Sequence, residues 1–173
     1  MTARPEVLPA ALAVRLRHRF EAPRGRVFRA WTDPEVLRRW WCPPGWWPAE
    51  IEVDLRVGGA YCFGMWKLRG DPPVYVRGHF LEVACPERLV YTWRWQNAFD
   101  EMPETRVTVV FTDAPTGGTD VVLTHERLPG VPLCLRHWNG WKAAWPRIGA
   151  ALAEASVIAP QAAATTGPNP WAQ

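Results

Sequence analysis

A chain of 173 residues with 48% hydrophobic content has enough apolar material for one domain, which excludes global disorder. Its formal charge of +3, with the basic residues scattered, excludes a protein built to hold nucleic acid or an anionic membrane surface by charge. No apolar run reaches the ~18 residues that a membrane span needs.

All basic residues except Lys67 and Lys142 are Arg, and their scatter reads as composition rather than a phosphate site. Cys42, Cys62, Cys85 and Cys134 have no CxxC spacing and no accompanying His cluster, so no metal site and no cofactor is expected. Met1 to Leu12 lacks the charged start and long apolar core of a secretory leader. The expected setting is therefore a reducing cytoplasm with free thiols.

Residues 1–12 contain Pro5 and Pro9 and no periodicity, and read as a flexible lead-in to a domain over 13–154. Ala13–Phe20 alternates apolar and basic residues, the period of a half-buried strand. Pro23 suits the first turn of a short helix whose apolar face is Val27, Phe28 and Trp31. Thr32 or Asp33 caps a second helix, with Pro34 in its first turn and Val36, Leu37, Trp40 and Trp41 along one side. Cys42–Pro48 holds two X-Pro steps and Gly45, and reads as a loop.

From residue 49 the period changes to two. Strands are predicted at Ala49–Arg56, Ala60–Lys67, Val74–Ala84, Leu89–Trp95, Thr105–Asp113 and Asp120–Glu126. Gly58-Gly59 between the first two is a hairpin turn rather than a phosphate loop. A long helix over Leu133–Glu154 follows. Its stripe is Cys134, Trp138, Trp141, Trp145, Ile148 and Leu152, with Pro146 predicted to kink it near Lys142. Residues 155–173 are Ala-, Pro- and Thr-rich and read as a disordered tail, with Trp171 exposed. The fold class is α+β: a curved antiparallel sheet gripping one long helix, with two short helices after the first strand.

Several segments carry a family resemblance. They are Phe20–Pro23, Val27-Phe-Arg-Ala-Trp-Thr-Asp-Pro34, Trp40-Trp41 and Val53-Asp-Leu-Arg-Val-Gly-Gly59. Gly78–Val83, Glu87–Trp93, Val107–Phe111, Leu123–Arg127 and Gly140-Trp141 continue it in the same order. Across residues 13–153 the chain resembles the START-like, or SRPBCC, superfamily. Within it the chain is similar to the branch named for the C-terminal domain of the activator of the heat-shock-protein-90 ATPase. The resemblance implies a helix-grip fold with a hydrophobic cavity between sheet and long helix, and it implies no one reaction. The separate N-terminal domain of the eukaryotic chaperone activator has no counterpart here, so direct ATPase activation is not expected.

Strand parity names the residues that should face the helix. These are Val107, Val109 and Phe111; Val121, Leu123 and His125; and Leu89, Tyr91, Trp93 and Trp95. Tyr61, Phe63 and Met65 join them, and Phe80 shares the face through Gly78. The ligand-binding set is therefore Trp41, Tyr61, Phe63, Phe80, Tyr91, Trp93, Val109, His125, Trp138, Trp141 and Trp145. Trp138, Trp141 and Trp145 on one helix face beside Trp93 and Trp95 favour a small, flat, aromatic-lined cavity over a lipid-sized tunnel.

Three functions compete. The first is binding of a small hydrophobic, aromatic molecule without a cofactor or catalysis. The second is a cyclase or dehydratase using His125 and Tyr91 as acid–base groups. Against it, His125 has no partner carboxylate in sequence, and His125-Glu126 lacks the second His of a zinc-protease motif. The third is a chaperone-associated module using an exposed patch at Cys42–Trp47, where Trp46 and Trp47 either face solvent or close the cavity as a lid. A homodimer is open under each reading. Glu82 and Arg56 are the expected ion pair across the sheet.

Overall fold

The structure, a computed structural model, describes residues 6–8, 12–68, 70–97 and 102–157. Among the described residues eight strands form one antiparallel sheet. They are β1 (Glu6–Leu8), β2 (Ala13–Phe20), β3 (Trp47–Val53), β4 (Ala60–Trp66), β5 (Val74–Ala84), β6 (Arg88–Gln96), β7 (Thr105–Asp113) and β8 (Thr119–Glu126). The spatial order is β1-β2-β8-β7-β6-β5-β4-β3. Strands β3 to β8 thus run as a meander, and β2 closes onto β8 with Leu16 opposite Leu123. Helices α1 (Arg24–Thr32) and α2 (Pro34–Trp40) connect β2 to β3, and α3 (Val131–Val157) packs across the concave face. This is the helix-grip arrangement.

Local chemistry sets the turns. Asp33 caps α2 by accepting the Glu35 N–H at 3.0 Å, and Pro34 occupies the first turn. Register shifts between Phe80 and Glu82 in β5 and between Pro48 and Ile51 in β3 bend the sheet around the helix. The β3–β4 turn depends on glycine: Gly58 has φ +77°, and a Cβ at Gly59 would lie 2.0 Å from the Asp54 carbonyl oxygen. At Gly78 in β5 a Cβ would lie 2.1 Å from the Thr92 carbonyl oxygen of the neighbouring strand. Gly78→Ala is accordingly expected to cost about 1–3 kcal/mol or more, through the backbone shift it forces. A lower urea midpoint checks this, and an unchanged midpoint would contradict the close approach of β5 and β6.

The core follows the predicted parity. Val107, Val109, Phe111, Val121, Leu123, His125, Leu89, Tyr91 and Trp93 are all buried beneath α3. The opposite face carries cross-strand ion pairs: Arg19 with Asp120 at 2.7 Å, and Arg106 with Glu126. Glu82 pairs with Arg88 at 3.0 Å and Arg56 with Asp54 at 2.9 Å, so the expected Glu82–Arg56 pair is not formed. Glu82 sits beyond the β5 bulge, opposite Val90 on β6 and within reach of Arg88.

Several boundaries differ from expectation. The lead-in contributes β1, which pairs antiparallel with the start of β2, Val7 opposite Val14. Trp47 and Pro48 belong to β3 rather than to the loop before it. Helix α3 starts two residues earlier than predicted, runs unbroken through Pro146 and reaches Val157. The rest of the expected tail, including Trp171, lies outside the described residues. All four cysteines are unpaired. Among the described residues no helix is long and apolar enough to cross a membrane, and no group of three or more His, Cys, Asp or Glu is placed to hold a metal.

Candidate functional site

A cavity of about 300 Å³ lies between the N-terminal half of α3, the end of α2 and the β4–β6 side of the sheet. That is the lower end of the range for small-molecule sites, about 300–1,000 Å³. Its floor is Trp41, Met65, Trp93 and Trp141, with Trp40 and Ala144 behind them, all buried. Trp46, Val74 and Trp95 form a half-buried rim, and the exposed Pro43 and Gly140 mark the open side. Three charged or titratable side chains join this wall from α3: Arg136, His137 and Arg147.

Three residues of the predicted set line this space: Trp41, Trp93 and Trp141. The others pack elsewhere. Tyr61, Phe63, Phe80 and Tyr91 form an aromatic cluster deeper in the sheet, with Tyr61 at 4.6 Å from Phe63 and 5.5 Å from Tyr91 between ring centres. The Tyr61 hydroxyl donates to the Thr92 carbonyl at 2.6 Å. Val109 is fully buried under the helix. Trp145 stacks on His18 at 5.4 Å and meets Phe20 and Trp31 at its edges, away from the cavity. Trp138 is half-buried beside α3's own Lys142, whose ammonium sits 4.8 Å from its ring. Trp46 lines the cavity, while Trp47 points away and is 59% exposed.

His125 is completely buried, and both of its ring nitrogens are occupied. The Trp141 indole N–H donates to Nδ1 at 3.2 Å, which makes Nδ1 the acceptor and leaves the proton on Nε2. Nε2 then donates to Thr105 Oγ1 at 2.7 Å, and that hydroxyl donates to the Trp93 carbonyl at 3.1 Å. Neither ring nitrogen of His125 keeps a proton or lone pair for a substrate. Burial, and secondarily the neighbouring His137, hold the His125 pKa well below its ordinary value. Tyr91 is likewise buried, which pushes its phenol far above its usual range.

His137 was not anticipated. It lies 4.5 Å from His125 between ring centres, donates from Nδ1 to the Leu133 carbonyl at 2.9 Å and accepts the Trp95 indole N–H at 3.1 Å. Burial lowers its pKa, against the raising effect of the Leu133 bond. Arg147 was missed as well. It donates from Nε to the Trp40 carbonyl at 3.0 Å and from Nη1 to the Ala143 carbonyl at 2.7 Å, tying α3 to the end of α2. Partial burial lowers its pKa. Beside it, burial pushes the Cys42 thiol up to about 12, which disfavours its thiolate.

The signal for His137 was present in α3. His137, Trp141, Ala144, Ile148 and Ala151 also repeat at helical spacing, and all five are buried. Gly140, beside this line, and Ala144, on it, are small and are where the helix leaves room.

With this geometry the relatives can be placed. The family described as "Activator of Hsp90 ATPase homolog 1-like protein" matches residues 21–154. The chain belongs to this family. A Chromobacterium violaceum protein of known structure is 27% identical, with a TM-score of 0.71, over 81% of this chain and 96% of its own. A Rhizobium leguminosarum protein is 24% identical, with a TM-score of 0.72, over 83% and 95%. The AHSA1-like protein from Aeromonas hydrophila is 24% identical, with a TM-score of 0.69, over 88% and 100%. The last two likenesses show the shared fold alone. No curated protein matches the chain. The family assignment covers β3 to β8 and all three helices up to Glu154, and so includes every element that borders the cavity.

Proposed function

We propose that this member of the family binds a small, flat aromatic molecule between the sheet and α3, without a cofactor and without turnover. The observation that carries the reading is the wall itself. Six indoles, those of Trp40, Trp41, Trp46, Trp93, Trp95 and Trp141, border about 300 Å³ of space that they leave unfilled. A core of this density normally closes such space, because each unmatched ring face forfeits dispersion contacts. A planar ligand restores those contacts. The closed hydrogen-bond chain around His125 supports binding over acid–base chemistry, since the group best suited to proton transfer is sealed from the cavity.

Gly140 offers a clean test. A Cβ there meets nothing within 4 Å, and the residue stands at the open side of the cavity. Gly140→Leu places its side chain in that opening and is expected to weaken ligand binding at least about tenfold. Folding stability should hold or rise by up to about 1 kcal/mol, because Gly is a poor helix former. Native mass spectrometry of the purified wild type, set against its denatured mass, identifies any co-purified ligand. Tryptophan fluorescence titration then compares the two proteins. Equal affinity in Gly140→Leu would remove this cavity as the site.

A further inference from the structure

The cavity wall donates hydrogen bonds and accepts almost none. Among the described residues no Asp, Glu, Asn, Gln, Ser, Thr or Tyr lines it. The one strong side-chain acceptor, His137 Nε2, is already taken by the Trp95 indole, which leaves only the weak Met65 thioether. The Trp41 and Trp93 indole N–H groups have no acceptor among the described residues, but both nitrogens are covered and offer an occupant nothing. The donor that an occupant can meet is on Arg147.

Charge points the same way. The two formal charges on the wall, Arg136 and Arg147, are both positive. Arg147 is half-buried, and its two hydrogen bonds go to neutral carbonyls, those of Trp40 and Ala143. No carboxylate pairs with it among the described residues. A guanidinium presents five N–H donors in a planar fork, and Nε and Nη1 are the donors engaged here, so Nη2 is uncommitted. A partly desolvated cation against an apolar space favours a counter-ion supplied by the occupant.

Resting on the cavity reading above, we propose that the ligand is an aryl carboxylate: its rings lie among the tryptophans and its carboxylate pairs with Arg147. The anion supplies the acceptors that the wall lacks. A neutral aromatic of the same shape fills the space and leaves the guanidinium unpaired. A cationic one adds repulsion from Arg147.

Three nearly isosteric probes separate these cases by titration calorimetry: 2-naphthoate, 2-naphthamide and 2-naphthamidine. The wild type is expected to bind naphthoate about tenfold to a hundredfold more tightly than naphthamide, the range for charge-assisted hydrogen bonds. Naphthamidine is expected to bind more weakly than both. Added salt should weaken naphthoate and leave naphthamide unchanged. Arg147→Met keeps the aliphatic stem and should remove the preference for naphthoate while retaining naphthamide binding. Because Arg147 also ties α3 to α2, the wild-type ratio and its salt dependence decide the matter if that variant does not fold. Naphthamide binding as tightly as naphthoate would overturn the aryl carboxylate and leave the aromatic cavity standing. Failure of all three probes at millimolar concentration would overturn both.

Discussion

Trp141→Ala is expected to cost about 3–5 kcal/mol of folding stability and to abolish ligand binding. Trp141 is 5% exposed and packs on Trp93 with ring centres 5.2 Å apart, at the floor of the cavity. Removing the indole joins its own volume to the existing space and takes one face from Trp93. It also strips the donor from His125 Nδ1, leaving a buried acceptor unpaired. In a domain of typical stability, about 5–15 kcal/mol, that loss is a large share of the whole. Trp141→Phe separates the two contributions. It keeps part of the packing and deletes the N–H together with one ring of the indole, so it should cost less than Trp141→Ala but at least about 1–3 kcal/mol, the penalty for one unsatisfied buried group. Urea midpoints of the three proteins read both numbers. A Trp141→Ala loss under about 1 kcal/mol would mean that the indole is not packed against the sheet as described.

The sheet was legible from the chain because alternation is a local signal. Each inward-facing residue of β6, β7 and β8 follows from parity once one of them is fixed, and Val107, Leu123 and Leu89 are unambiguous. Strand β1 was not legible. Its three residues pair only because β2 is there to receive them, and Pro5 and Pro9 on either side argue for a loop. The site was only partly legible, for the same reason on a larger scale. Parity placed His125 correctly on the buried face, but its partners Thr105 and Trp141 come from β7 and α3. On α3 the bulky Trp138 and Trp145 dominated the helical stripe, and the helix is rotated so that His137, Gly140 and Ala144 border the cavity. A cavity is a difference between summed side-chain volume and available space. No pattern of residue types along one element contains that difference.

The buried histidine pair makes acid the condition that should affect this fold most. His125 and His137 are held neutral in the folded protein, each lowered chiefly by burial, with His137 acting on His125 and Arg136 on His137. In the unfolded chain each titrates near its ordinary value of about 6.5. As pH falls below that value the unfolded state takes up protons that the folded state refuses, so stability rises with pH and is lost on acidification. The contribution is fully present above pH ~6.5 and declines through the window down to the depressed folded values. The slope is at most about 1.4 kcal/mol per pH unit for a histidine that is protonated in the unfolded chain and neutral in the folded one, and His125, the more strongly lowered of the two, contributes the larger part. His18, lowered by partial burial, acts in the same direction. The carboxylates with lowered values, Asp33 and Asp120, add their own acid sensitivity only near and below about pH 4, so the histidines dominate between about pH 4.5 and 6.5. Urea midpoints across that window check the slope. His137→Gln, which keeps an acceptor for the Trp95 indole but cannot take a proton, should make the dependence shallower and leave the His125 part. A midpoint that stays flat from neutral to about pH 5 would mean that both rings accept their protons while folded. That would reopen the hydrogen-bond chain through Trp141 and Thr105, and with it the acid–base role that the closed chain argues against.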